Sequence, residues 1–232
     1  MMVTEAVVLA GGFGTRLRSV VSEVPKPMAP VNGRPFLEHL LEYWIAQGVK
    51  RFVLSIGFLA GKVVDHFGNA WRGAQIAYAH ETSPLGTGGG LLLGAAETRA
   101  DEILVLNGDT FFAVELPALV EFHRSRRSDC TLSLFRTQDA ERYMGLELGS
   151  DGELRTLAAK QGGLANGGVY LFRSAVLQGL PWQPGTRFSL ETDMLPHGQR
   201  SGWRIYGREG GSTFIDIGVP EDYRRAAEVL KR

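Results

Sequence analysis

Short apolar runs alternate with helix-length amphipathic stretches over the first 135 residues. Residues 6–10 are continuously apolar, the mark of a strand buried on both faces. Over 36–47, Phe36, Leu37, Leu40, Leu41 and Trp44 fall on one helical face. The same reading predicts strands at 52–56, 75–79, 102–106 and 131–135. It predicts helices at 61–67, 89–98 and 117–125, the last with Pro117 in its first turn. Strand–helix–strand repetition of this kind implies an α/β fold, a Rossmann-like and mainly parallel sheet flanked by helices.

After about residue 136 the rhythm changes. Short strands around 146–148, 169–172, 203–206 and 213–217 are separated by more loop, and a helix over 221–231 follows Pro220. No Pro/Gly/Ser-rich linker or internal repeat divides the chain. The 232 residues suit one α/β domain, which commonly reaches ~200–250 residues. The expectation is therefore a single domain over 1–232, with an insertion built from its second half. In such sheets ligands collect beyond the carboxyl ends of the strands. That rule gathers the segment from Gly11 to Arg16, the segment from Asn107 to Asp109, and Asp216 into one cleft.

Composition narrows the function classes. Lys+Arg and Asp+Glu both number 25, so the formal net charge is zero. This argues against a nucleic-acid binder or a polyanionic-membrane binder, and leaves room for a small phosphorylated ligand held by a few local cations. The one cysteine, Cys130, cannot form an intramolecular disulfide, and its apolar neighbours predict a packed strand residue. The apolar run 7–10 stops at Gly11, too short for a signal peptide or a span, so the chain reads as cytoplasmic. The five histidines show no ligand spacing and read as structural or surface residues.

Two motifs carry chemistry. In the first, Leu9-Ala10-Gly11-Gly12-Phe13-Gly14-Thr15-Arg16, glycines directly after a strand let successive backbone N–H groups turn inward as an anion cradle. Arg16 adds a forked cation beside it. The spacing is neither that of a Walker loop nor that of a dinucleotide fingerprint. In the second, Pro25-Lys26-Pro27-Met28, two prolines stiffen the backbone around a lysine and let it place its ammonium with little entropy loss. A tight turn and a solvated loop lysine are the plain alternatives to each motif alone.

Together these motifs resemble the sugar-1-phosphate nucleotidyltransferases, and the resemblance runs through the chain. It includes the glycine-rich Pro84–Gly89, the Asn107-Gly108-Asp109 turn, Asn166-Gly167-Gly168-Val169-Tyr170 and Phe214-Ile215-Asp216-Ile217-Gly218. The stretches 17–33 and 214–223 are similar to the guanylyltransferases that act on D-glycero-α-D-manno-heptose 1-phosphate. The resemblance implies that Leu9, Ala10, Gly11, Gly12, Gly14, Thr15, Glu81, Gly86, Thr87 and Gly88 bind nucleotide in a half spanning 1–135. It implies that Gly145, Lys160, Asn166, Gly167 and Glu191 bind the sugar phosphate in a half spanning 136–232. Arg16, Lys26 and Asp109 would serve catalysis, with Mg²⁺ on Asp109 and Asp216. The partners would be GTP and a sugar 1-phosphate; self-association into a homo-oligomer stays open.

The implied reaction is in-line attack of the sugar phosphate on the nucleotide α-phosphorus. An ionised phosphate monoester needs no strong base, so catalysis is positioning and charge neutralisation. Glu81 stands where thymidine- or uridine-selecting relatives tend to have glutamine, and a carboxylate can accept from both N1–H and N2–H₂ of guanine. Ala159 departs from the pattern, because many relatives have glutamate immediately before the lysine matched by Lys160. The run Ser189–Asp193 reads either as a helix start with acids in its first turn or as a source of a sugar contact through Glu191. Alternatives within the class are a mannose-1-phosphate guanylyltransferase and an amino-sugar-1-phosphate uridylyltransferase. Outside it stand a silent nucleotide-binding regulatory subunit and a glycosyltransferase, the latter disfavoured by the missing Asp-x-Asp pair.

Overall fold

The computed structural model describes residues 2–12, 23–137, 143, 145–159, 163–211 and 213–231. Its elements run β1 (Glu5–Ala10), β2 (Pro30–Val31), β3 (Arg34–Pro35), α1 (Phe36–Ala46), β4 (Arg51–Ile56), α2 (Ala60–Phe67), β5 (Ala70–Trp71) and β6 (Ala74–His80). Then come α3 (Gly86–Ala95), β7 (Glu102–Asn107), β8 (Thr110–Phe112), α4 (Leu116–Ser125) and β9 (Cys130–Arg136). The second half adds β10 (Gly145–Leu148), β11 (Leu154–Ala159), β12 (Leu164–Arg173), α5 (Leu195–Arg200), β13 (Ile205–Glu209), β14 (Phe214–Asp216) and α6 (Pro220–Val229). Among the described residues no helix is long and apolar enough to cross a membrane.

The main sheet has the order β11-β10-β12-β7-β1-β4-β6-β5, with β9 against β12 and β13 against β9. Its centre is parallel: β7, β1, β4 and β6 run the same way. β12 then lies antiparallel to β7, pairing Val169 with Leu106 and Phe172 with Ile103. Alternate residues of the central strands feed two apolar layers. Ala6, Val8, Phe52 and Leu54 pack with Leu37, Leu41 and Trp44 of α1 and Leu119 of α4. Val7, Val53 and Val105 pack on the opposite face with Leu91 of α3 and Leu190–Leu195. Continuous apolar runs are therefore needed, because both faces of each strand are covered. Cys130 is fully buried in β9, and burial raises its thiol ionisation well above the ordinary range.

The structure corrects the sequence reading in several places. α3 starts at Gly86, inside the glycine cluster, rather than at 89. β8 and β11 were absent from the prediction, and β12 begins at Leu164 rather than 169. β13 covers Ile205–Glu209 rather than 203–206. A wide π-type turn over Leu190–Met194 leads into α5. The cause at α3 is packing. Glycine costs about 1 kcal/mol against alanine in a helix, but here it permits close approach. A β-carbon on Gly88 would stand 2.3 Å from the Phe188 ring, and one on Gly89 2.5 Å from the Thr186 carbonyl oxygen. One on Gly94 would stand 2.6 Å from Val7. Tertiary contact thus overrides propensity.

Candidate active site

The carboxyl ends of the four parallel strands open on one edge of the sheet, where β1 delivers Gly11-Gly12, β6 delivers Glu81 and β7 delivers Gly108-Asp109. A cavity of about 350 Å³ lies there, lined by Leu9, Ala10, Gly11, Gly12, Lys26, Pro27, Glu81, Pro84, Gly86, Thr87, Gly90, Asn107, Asp109 and Arg187. A smaller cavity adjoins it across Gly11 and Glu81, lined also by Gly57, Phe58, Thr82, Ser83 and Pro84. The sequence-selected segments before and after Glu81 therefore meet in space. Gly88 lies off the cavity, against Phe188.

Asp109 and Asp216 are far apart in sequence and are joined by the small β8–β14 ladder. That ladder pairs Asp216 with Thr110 and Ile215 with Phe111, and Ile217 N donates to Asp109 O at 3.0 Å. Lys26, at the start of a short helical turn, donates from Nζ to Asp109 Oδ2 at 2.5 Å and sits 3.9 Å from Asp216 Oδ1. Asp216 Oδ1 also accepts from Gly218 N at 2.7 Å. Two half-open carboxylates thus converge on the Lys26 ammonium. Hard oxygen donors of this number suit Mg²⁺, which typically takes one or two carboxylates together with phosphate oxygens. Asp109 and Asp216 are the described residues that could hold it.

Glu81 is oriented rather than loose. Fully buried Ser55 donates to its Oε1 at 2.9 Å, and Leu85 N donates to its Oε2 at 3.1 Å. The carboxylate lies flush on the glycine loop, for a β-carbon on Gly11 would stand 1.9 Å from Oε1. Glycine is required at that position for the loop to lie on the carboxylate. With one acceptor position per oxygen already taken, each oxygen keeps a second lone pair for a ligand donor.

Asn166 and Gly167, which do not line that cavity, lie in β12 where its pairing with β9 shifts register before Tyr170. Gly167 rests on Phe112, whose ring a β-carbon would approach to 2.2 Å. Ser189 caps the turn that follows it, its Oγ accepting from Glu191 N and Thr192 N. Glu191 in turn accepts from Thr87 Oγ1 at 2.7 Å, from Ser189 Oγ at 3.0 Å and from the Tyr170 hydroxyl at 2.7 Å. The helix-start reading of this run holds at Ser189, while the oxygens of Glu191 meet protein donors. Gly145 pairs with Ala159 and Ala165 at the start of β10, away from the main cavity.

Gly14, Thr15, Arg16 and Lys160 lie outside the described residues. The structure adds residues that motif reading missed. Exposed Arg187 lines the cavity, Ser55 orients Glu81, and buried Tyr170 joins Asn166 to Glu191. No local spacing signals Ser55 or Arg187, and Tyr170, though it stands in the Asn166–Tyr170 motif, shows its link to Glu191 only in the fold.

The model of the nucleotidyl transferase family matches residues 5–232. The D-glycero-α-D-manno-heptose 1-phosphate guanylyltransferase of Aneurinibacillus thermoaerophilus is 39% identical over 98% of this chain and 98% of its own. A mannose-1-phosphate guanylyltransferase of Mycobacterium tuberculosis is 37% identical over 98% of this chain and 65% of its own. The crystal structure of HddC from Yersinia pseudotuberculosis complexed with GMP-PN superposes with a TM-score of 0.85 at 34% identity, covering 98% of this chain and all of that one.

Proposed function

Given that the chain belongs to the nucleotidyl transferase family, we propose that it transfers GMP from GTP to D-glycero-α-D-manno-heptose 1-phosphate, releasing GDP-heptose and pyrophosphate. The observation that carries the chemistry is the convergence of Lys26, Asp109 and Asp216 beside the glycine-loop cavity. A phosphate oxygen of the sugar 1-phosphate attacks the α-phosphorus, the bond from that phosphorus to the bridging oxygen breaks, and its electron pair leaves with pyrophosphate. The Gly11-Gly12 backbone cradles the phosphates, and Lys26 stabilises the α-phosphoryl oxygens. Arg16, by its motif, would stabilise the departing pyrophosphate. Asp109 and Asp216 would hold Mg²⁺, which would neutralise phosphate charge. Asn166, Gly167 and Glu191, with Lys160 by its motif, take the sugar phosphate.

Guanine follows from Glu81, whose carboxylate is fixed by Ser55 and Leu85 and retains acceptor capacity for two N–H donors. The 39% relative, matched over nearly its whole length, supports the heptose acceptor. The 37% relative favours mannose 1-phosphate as a second reading. The proposal sets the enzyme in the cytoplasm, where an unpaired buried cysteine is ordinary.

Pyrophosphate release from GTP, UTP, CTP and dTTP, each with heptose 1-phosphate, mannose 1-phosphate and glucosamine 1-phosphate, tests the whole assignment. The GTP and heptose pair should give the largest kcat/KM, and EDTA should abolish it. A maximum with mannose 1-phosphate would replace the acceptor. Silence across the panel would leave a nucleotide-binding protein without catalysis.

A further inference from the structure

One chain of hydrogen bonds joins β12, through the turn that follows Ser189, to Thr87 in α3. Asn166 Nδ2 donates to the Tyr170 hydroxyl at 2.6 Å, Tyr170 donates to Glu191 Oε1 at 2.7 Å, and Thr87 Oγ1 donates to Glu191 Oε2 at 2.7 Å. Backbone groups pin each end. Gly168 N donates to Asn166 Oδ1 at 3.1 Å, and Leu190 N donates to Thr87 Oγ1 at 2.9 Å. Thr87 lines the cavity that also holds Gly11 and Glu81, whereas Asn166, in β12, does not line it.

We propose that Tyr170 is a positioning residue for the sugar phosphate, fixing Asn166 and Glu191 in a single orientation that is referenced to Thr87 on the nucleotide side. This rests on the reading of Asn166 and Glu191 as sugar contacts. Tyr170 is completely buried, so it acts through its neighbours and does not touch substrate. Its hydroxyl stays protonated across the neutral range. Burial first, and then the negative charge of Glu191, hold its ionisation well above that of an ordinary tyrosine. The proton is therefore always available to Glu191, which leaves the oxygen lone pairs for Asn166. An asparagine amide has two N–H donors and two acceptor positions. With Tyr170 and Gly168 engaging one of each, one donor and one acceptor remain, in a fixed plane, for a hydroxyl of the substrate. Without the phenol oxygen, Asn166 keeps Gly168 N and Glu191 keeps Thr87 and Ser189, but Asn166 Nδ2 and Glu191 Oε1 each lose the bond that links them.

The test is Tyr170→Phe, which keeps the ring packing and removes only the relay. The KM for heptose 1-phosphate should rise about tenfold, the scale of one lost hydrogen bond to a charged network. The KM for GTP should stay within about twofold of its original value under the same convention. Equal changes in both, or a lowered Tm with neither KM changed, would reduce Tyr170 to a packing residue and overturn the proposal. Asn166→Ala provides the separate check. If it raises the heptose 1-phosphate KM while Tyr170→Phe does not, the relay fails and the sugar assignment stands. If it leaves that KM untouched, the sugar assignment itself fails and takes the relay with it. Should Tyr170→Phe not fold, Thr87→Val against Thr87→Ser asks the same question from the other end. Only the valine variant, lacking the hydroxyl, should raise the heptose 1-phosphate KM, and identical behaviour of the two would count against the relay.

Discussion

Glu81 shows how much a single side chain can depend on its supports. One oxygen is held by Ser55 and the other by the amide of Leu85. Replacing it with glutamine turns one acceptor into a donor facing an N–H or hydroxyl that already donates. Glu81→Gln should therefore lower the kcat/KM ratio of GTP over UTP by about tenfold, the discrimination of one mispaired buried hydrogen bond. An unchanged ratio in parallel assays would remove Glu81 from base selection. His123 gives a different residue-scale consequence. It is buried beside Thr131, whose hydroxyl lies 2.8 Å from Nδ1, and burial lowers its pKa from 6.5 to about 4. Between those values the unfolded imidazole binds a proton that the folded one refuses, so stability rises with pH across that window. The contribution is complete above about pH 6.5 and is lost on acidification toward pH 4, amounting to roughly 3 kcal/mol. Urea unfolding from neutral to mildly acidic pH should show this loss, and His123→Gln should flatten the slope.

Elements divide into those whose cause is local and those whose cause is a neighbour. α1 was legible because Leu37, Leu40, Leu41 and Trp44 repeat at helical spacing and all four are buried. α3 was only partly legible, since its five glycines oppose a helix and are justified by distant neighbours: the segment 186–190 on Gly86, Gly88 and Gly89, Glu81 and Ser55 at Gly90, and Val7 at Gly94. The same contrast makes a stability prediction. On Gly89 a methyl group would meet the backbone oxygen of Thr186, which cannot rotate away, and Gly89→Ala should destabilise by about 1–3 kcal/mol. Gly61 in α2 has nothing within 4 Å of the corresponding position, and Gly61→Ala should stabilise by about 0.4–1 kcal/mol. Chemical denaturation of the two variants checks both signs. Lys26, Asp109 and Asp216 were readable through the resemblance of their motifs to the family's, since a lysine between prolines or an aspartate at a strand end does not by itself signal a site. β8, by contrast, spans three residues and exists through its pairing with β14, over a hundred positions away. Nothing local to Thr110–Phe112 announces it.

For the whole molecule, the sequence supports a largely parallel sheet, but not the strand order, because β12 returns from the second half to lie beside β7. The two halves named from the motifs are thus stitched through one sheet. This bears on biosynthesis. A ribosome delivers β7 well before β12, and during that interval the outer side of β7 offers Ile103–Leu106 as an unpaired apolar edge. Exposed edges of this kind recruit other strands. Chains released after residue 163 should therefore aggregate or be held by chaperones, whereas release of the full 232 residues should yield monodisperse protein in the same translation extract. The strand that carries Asn166 and Tyr170 to the cleft is also the one whose arrival ends the nascent chain's most vulnerable period.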